Sequence, residues 1–216
     1  MRASELARGV GQVLVAWPRF VTAPLCRRWH LRWGATNVEV AAAMPGDELI
    51  AKPSFIATRA ITIATPPEEV WPWLVQLGYG RAGWYSYDLF DNDGGPSADR
   101  ILPQLQQIQV GDWVPMSGTV NETTAFKVNG FEPQRWLLWA KPDSTWAWQL
   151  TPVDGGQTRL VTRLKQRYPW RASPGLALLT VVLFEFGDFP MMRKLLLGIR
   201  RRAEQHTTQR AAAMSP

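Results

Sequence analysis

A chain of 216 residues is long enough for one domain with a sizeable core plus flanking segments, and too short for two full domains. Its formal charge of +6 sits in the flanks: residues 1–33 carry six arginines against one glutamate, and residues 171–216 carry seven Lys or Arg against three acids. The middle is therefore net acidic, which argues against a nucleic-acid-binding domain, where positive charge belongs on the folded surface itself.

The composition excludes more. Cys26 is the single cysteine, so there is no disulfide framework or cysteine metal cluster, and a reducing compartment is the default. His30 and His206 are the two histidines and both lie in the flanks, which leaves neither a two-histidine metal face nor a Ser-His-Asp triad inside the domain. No P-loop is present and no G-x-G-x-x-G opens a helix after a strand, so no cofactor is expected.

In chain order, residues 1–33 read as a basic helical or irregular extension. Val10 to Trp17 is apolar, but Pro18 and Arg19 cut it far short of a membrane span. Leu25 stands where a lipoprotein cysteine needs a small residue before it. The expectation is no cleaved signal and a cytoplasmic protein. Its Leu-, Val- and Trp-rich basic flanks either touch an anionic membrane at the inner face or are simply solvated. Gly34 and the Pro45-Gly46-Asp47 turn separate this extension from a domain over residues 34–205, and 206–216 form a tail.

Arg59 to Gly78 predicts a strand, a proline-marked turn and a short helix. Ile61 and Ile63 alternate with Thr62 and Ala64; Pro66 and Pro67 stop the strand; Glu68 and Glu69 lie near the helix N-terminus, where exposed N–H groups favour negative charge. Val70, Trp73, Leu74 and Leu77 make one apolar stripe, and Gly78 ends it. Trp84 to Phe90 reads as extended, and Gly94-Gly95-Pro96 as a turn. A short strand near Trp113 to Met116 precedes a β-meander over 124–131, 135–141, 145–152 and 157–168. Within it Trp146, Trp148 and Leu150 share one face and Ala147 and Gln149 the other, the pattern of an antiparallel sheet with one wetter side. Ser173-Pro174 starts a helix that is apolar on nearly every side to Phe184. Gly187 and Pro190 suggest a kink, after which Met192, Leu195, Leu196, Ile199 and Ala203 form a stripe with Arg201 and Arg202 largely away from it.

The run from Arg59 to Gly78 resembles the opening of the START-like, or SRPBCC, superfamily, which includes the plant pollen-allergen fold and polyketide cyclase/dehydrase-like proteins. The likeness is nearest an uncharacterised bacterial branch. It continues through Gly80 to Asp88, Ser97 to Ile101 and Val110-Gly111-Asp112, and covers roughly residues 34 to 205. The resemblance implies an α+β helix-grip (START/Bet v 1-like) fold, a curved antiparallel sheet wrapped around a long C-terminal helix with an apolar cavity between them. The missing domain histidines exclude the ring-hydroxylating oxygenase branch, which needs them for iron.

Three functions remain open. The leading one is binding of a small hydrophobic or lipid-like molecule, with Trp73, Trp146 and Trp148 as cavity walls and Trp84, Tyr85, Tyr87, Arg100 and Phe184 as further contacts. The same tryptophans would serve equally as ordinary core. A second is a cyclase or dehydratase in which Asp88, Asp99 or Glu185 moves protons while Tyr85 or Arg100 stabilises enolate charge. Against it, Asp99 and Arg100 make equally good local caps, and Glu185 and Asp188 either point to water or pair with Arg163 or Arg167. The third is a membrane-associated adaptor. Oligomeric state and ligand identity are not legible.

Overall fold

The computed structural model describes residues 3–168, 170 and 173–214. Helix α1 (Ala3–Thr22) leads through a 3-10 turn (Ala23–Cys26) into α2 (Arg27–His30) and α3 (Asn37–Ala41). Strand β1 (Phe55–Ile63) and α4 (Pro67–Val75) follow, then α5 (Asp88–Asp91), β2 (Trp113–Pro115), β3 (Ala125–Glu132), β4 (Trp136–Lys141), β5 (Ser144–Val153) and β6 (Gln157–Gln166). The chain ends in α6 (Pro174–Val182), a π-helical turn (Leu183–Gly187) and α7 (Asp188–Met214).

The strands form one curved sheet in the order β1-β6-β5-β4-β3-β2, every pair antiparallel. A register shift at Val128/Gly130 bends β3 against β4. One face of the sheet holds α7 and α4, so the architecture is the expected α+β helix-grip fold. The period-two pattern of β5 decides which side chains meet the helix: Trp146, Trp148 and Leu150 join the main core with Leu196 and Ile199, while Ala147 goes to a second, smaller core with Met44, Ala60, Leu138 and Val161.

That second core corrects the expectation of a wetter face. Residues 34–50 lie across it and are fastened by the basic side chains of β6. Arg159 pairs with Glu39 (2.7 Å), Arg163 pairs with Asp47 (2.6 Å) and donates to the Glu39 and Val40 carbonyls, and Lys165 Nζ donates to Asp47 O. Arg163, one of two candidate partners with Arg167 for Glu185 or Asp188, serves this strap instead.

Strand β1 departs from strict alternation for the same reason. Ala57 through Ile61 are buried on both faces. As an edge strand β1 has backbone groups to satisfy, and Thr58 N donates to Leu31 O (2.8 Å) while Ala60 N donates to Trp33 O (3.1 Å). Gly34 makes the approach possible, because a Cβ there would fall 2.0 Å from Ala60 O and its φ is +73°. The N-terminal extension is thus joined to the domain along the sheet edge.

Two further expectations change. Trp84 to Phe90 is not an extended run: it turns through Tyr85 at φ +54° and closes into α5. Gly187 and Pro190 do not break the helix: a π turn over Leu183–Gly187, in which Asp188 N donates to Leu183 O, joins α6 to α7. The α7 stripe is buried as expected, yet Arg202 is buried too, its guanidinium 4.2 Å above the Tyr85 ring and donating to Ala98 O (2.7 Å).

The start of α7 is tied to β1 by a buried ion pair. Arg59, 1% exposed, donates to Asp188 Oδ2 (2.6 Å) and to His30 O (2.7 Å). Replacing Arg59 by Met strands the Asp188 charge and is expected to cost about 3–5 kcal/mol in urea unfolding. The double variant Arg59→Met/Asp188→Leu is expected to recover most of that loss.

Candidate functional site

The sheet face under α7 is paved with indoles. Trp84 stacks on Trp146 (centroids 5.4 Å apart, planes 8° apart), Trp146 stacks on Trp148 (5.0 Å), and Trp139 stands edge-on to Trp84, Trp146 and Trp148. Such pairs are favourable because each ring's positive edge meets a negative face, or offset faces slide past one another. Trp146 Nε1 donates to Thr162 Oγ1 (2.9 Å), which donates in turn to Ala147 O (2.9 Å). Trp73 Nε1 and Trp148 Nε1 are fully buried and have no acceptor. The Tyr168 hydroxyl is in the same position, and burial pushes its pKa up to about 12.

Where an open cavity was expected, indoles line the space between sheet and helix. Two concavities lie elsewhere. One is an open groove of about 900 Å³ along α7, lined by Tyr85, Lys194, Arg201 and Thr208 among others. The other is a recess of about 70 Å³ between α1 and the stretch containing Tyr87, Asp88 and Gly94.

Tyr85 is a buried brace for the 84–98 segment. Its hydroxyl accepts from Gln76 Nε2 (2.7 Å) and donates to Trp73 O (3.3 Å), and burial holds its pKa well above the usual phenol range. Helix α7 closes on it because residue 198 is glycine: a Cβ there would meet Tyr85 O at 2.5 Å. Tyr85 N donates to Ser97 Oγ, and Ser97 Oγ donates to Asp88 Oδ1. Tyr87 packs against Phe20 and Phe90, with Lys194 Nζ 3.9 Å above its ring.

The sequence-predicted residues divide accordingly. Trp73, Trp84, Trp146 and Trp148 share the aromatic core with Tyr85, while Phe184 packs at its margin, edge-on to Phe55 (4.9 Å). Asp99 and Arg100 are exposed on a bend, and Arg100 contributes its backbone carbonyl to Gln76. Glu185 pairs with Arg27 (2.8 Å), not with Arg163 or Arg167. Asp88 is held by Ser97, Glu185 is held by Arg27 and Asp99 is exposed, so no carboxylate pair converges on the aromatic layer from these positions. Sequence reasoning missed Trp139, Gln76 and Asp91. The alternation of β4 and the i, i+3 spacing of Asp88 and Asp91 were the available signals.

A curved antiparallel sheet gripping a long helix over an aromatic layer defines a helix-grip fold. No family model matches the chain and no curated relative does. Among solved structures it is similar to a polyketide-cyclase-like protein of Corynebacterium glutamicum (15% identity, 70% of this chain and 93% of the other, TM-score 0.45). It is also similar to the ZhuI aromatase/cyclase of Streptomyces sp. R1128 (15% identity, 71% and 95%, TM-score 0.38) and to a protein of Mesorhizobium loti (19% identity, 67% and 97%, TM-score 0.36). At such distance neither a family nor an activity follows from these neighbours, since one fold hosts many functions.

Asp91 carries the largest carboxylate perturbation among the described residues. Burial first, then the nearby charge of Asp88, pushes its pKa up to about 7. Its oxygens make no well-aligned hydrogen bond, because Ser86 Oγ donates to Met191 O instead. A carboxyl whose folded pKa is raised favours the protonated folded state, so stability is highest at low pH on this account and declines as pH rises from about 4 towards 7. Asp91→Asn is expected to flatten that decline and to stabilise the protein at pH 8 by on the order of 2–4 kcal/mol, read from urea unfolding as a function of pH.

Proposed function

We propose that the domain binds a small hydrophobic or lipid-like molecule between the sheet and α7. The reading is carried by Trp73 Nε1 and Trp148 Nε1, two indole donors buried in an apolar layer without an acceptor. A buried donor left unpaired costs about 1–3 kcal/mol. One oxygen on an otherwise apolar ligand removes that cost, and the ring faces supply contact area at roughly 25 cal/mol per Å² before binding costs are subtracted.

The way in lies under the π turn. Phe184 on that turn leans on Phe55 and Tyr168, and a π-helical stretch is the least regular part of the long helix. Acid/base chemistry has weaker support, because the candidate carboxylates are each engaged locally or turned to solvent.

Titration with 8-anilinonaphthalene-1-sulfonate, read as energy transfer from tryptophan, tests the reading. Saturable binding at one site is expected, weakened about 5–10-fold in Trp148→Phe, which keeps an aromatic face while removing the N–H together with the pyrrole ring. Unchanged affinity in both Trp73→Phe and Trp148→Phe, or no saturation, would overturn it.

A further inference from the structure

Helix α1 has two apolar sides. Val13, Ala16 and Phe20 face inward, with Phe20 against Tyr87 and Phe90. Val10, Leu14, Trp17 and Val21 recur at i, i+4, i+7 and i+11, a second stripe, and all are exposed, Leu14 by 67% and Trp17 by 59%. A helix that only had to cover the domain would need one stripe.

Helix α6 is exposed in the same way. Residues 174–184 contain no charged side chain, and Leu178, Leu179 and Val182 face solvent, Leu178 by 58%. The helices bearing the two exposed sets come together where the Ala23–Cys26 turn packs on the Leu183–Gly187 turn, and Leu25 on the first of these turns is 84% exposed. An apolar face of this extent on a folded domain marks a contact surface.

We infer that this face docks on the surface of an anionic lipid bilayer. The neighbouring charges select that occupant. Arg28 and Arg32 are exposed beside Leu25 and Trp29, and the acid at the junction, Glu185, is already paired with Arg27. A second copy of the chain would bring two strongly basic N-terminal segments together, whereas an anionic headgroup layer complements them. Trp17 and Trp29 have the amphipathic rings that favour the headgroup level.

The helix from Pro174 to Ala213 is long and apolar enough to cross a membrane by length and composition alone. Its second half is not available for that, because Met192, Leu195, Leu196, Ile199 and Ala203 are buried in the domain. The uncharged stretch before Glu185, which is held by Arg27, is residues 174–184 and spans about 16 Å, roughly half of a ~30 Å hydrocarbon layer. The segment therefore lies in one leaflet and does not span.

Flotation of the full chain with phosphatidylcholine vesicles, with and without phosphatidylglycerol, at low and high salt, is the test. Binding is expected to the anionic vesicles and to weaken with salt. Leu178→Glu/Leu179→Glu is expected to reduce it by more than about tenfold, and Arg28→Glu/Arg32→Glu to remove its dependence on phosphatidylglycerol. Both pairs are exposed, so circular dichroism should show the native fold retained. No flotation with either vesicle, or equal flotation of Leu178→Glu/Leu179→Glu and the parent, overturns the inference. So does a dimer by light scattering that the same leucine variant dissociates while vesicles are left unbound. The sulfonate probe titration on that variant separates the two proposals, since loss of vesicle binding with probe binding intact removes the docking face and leaves the interior site.

Discussion

Everything around the long helix depends on how its first turn is held. Arg59 reaches from the middle of β1 to Asp188 at the start of α7 and to the His30 carbonyl, and Phe189 lies against its guanidinium (5.6 Å). One side chain so joins the N-terminal segment, the edge strand and the C-terminal helix. Two charges withdrawn from water are tolerated only when each is fully partnered, so the pair fixes register more than it adds stability. His30 beside it is kept uncharged: burial lowers its pKa, Arg59 lowers it further, and its ring stacks on Phe189 (5.3 Å).

With that end pinned, the helix lies flat on the aromatic face and glycine sets how closely. At Gly198 no Cβ intervenes, so α7 descends onto the Tyr85 backbone, and Arg202 one turn later covers the ring of the same residue. Tyr85 pays with a left-handed φ, which its hydrogen bonds to Gln76, Trp73 and Ser97 offset. The outcome is a layer in which most polar atoms are satisfied, while two indole N–H groups and, at its margin, the Tyr168 hydroxyl are not.

What the sequence made legible follows from the range of each interaction. The stripe Val70, Trp73, Leu74, Leu77 and the alternation of Trp146, Trp148 and Leu150 are local periodicities; β5 forms where its pattern runs, while α4 takes in Val70, Trp73 and Leu74 and ends at Val75, short of Leu77. The strap over residues 34–50 was not legible, because nothing local in Arg159, Arg163 or Lys165 says that Glu39, Asp47 and backbone carbonyls more than a hundred positions earlier will meet them. The same holds for Glu185, whose partner Arg27 lies at the far end of the chain. Asp91 shows the limit most clearly: its spacing from Asp88 is visible in the sequence, while the burial that shifts its pKa belongs to the tertiary fold, in which α1 packs on α5.

The stretch from Pro174 to Gly187 connects the two readings of function. Its outer surface is the exposed apolar face, and its inner surface carries Phe184 against Phe55 and Tyr168 at the margin of the aromatic layer. A helix whose outer side chains lie in lipid has less cause to keep its inner ones closed on the core, because lipid contact replaces the burial that closure provides. The π turn is where such a segment can pivot without disturbing α7, whose first turn stays fixed through Asp188 and Arg59. An apolar molecule leaving a bilayer at that point would meet the indole layer without crossing water.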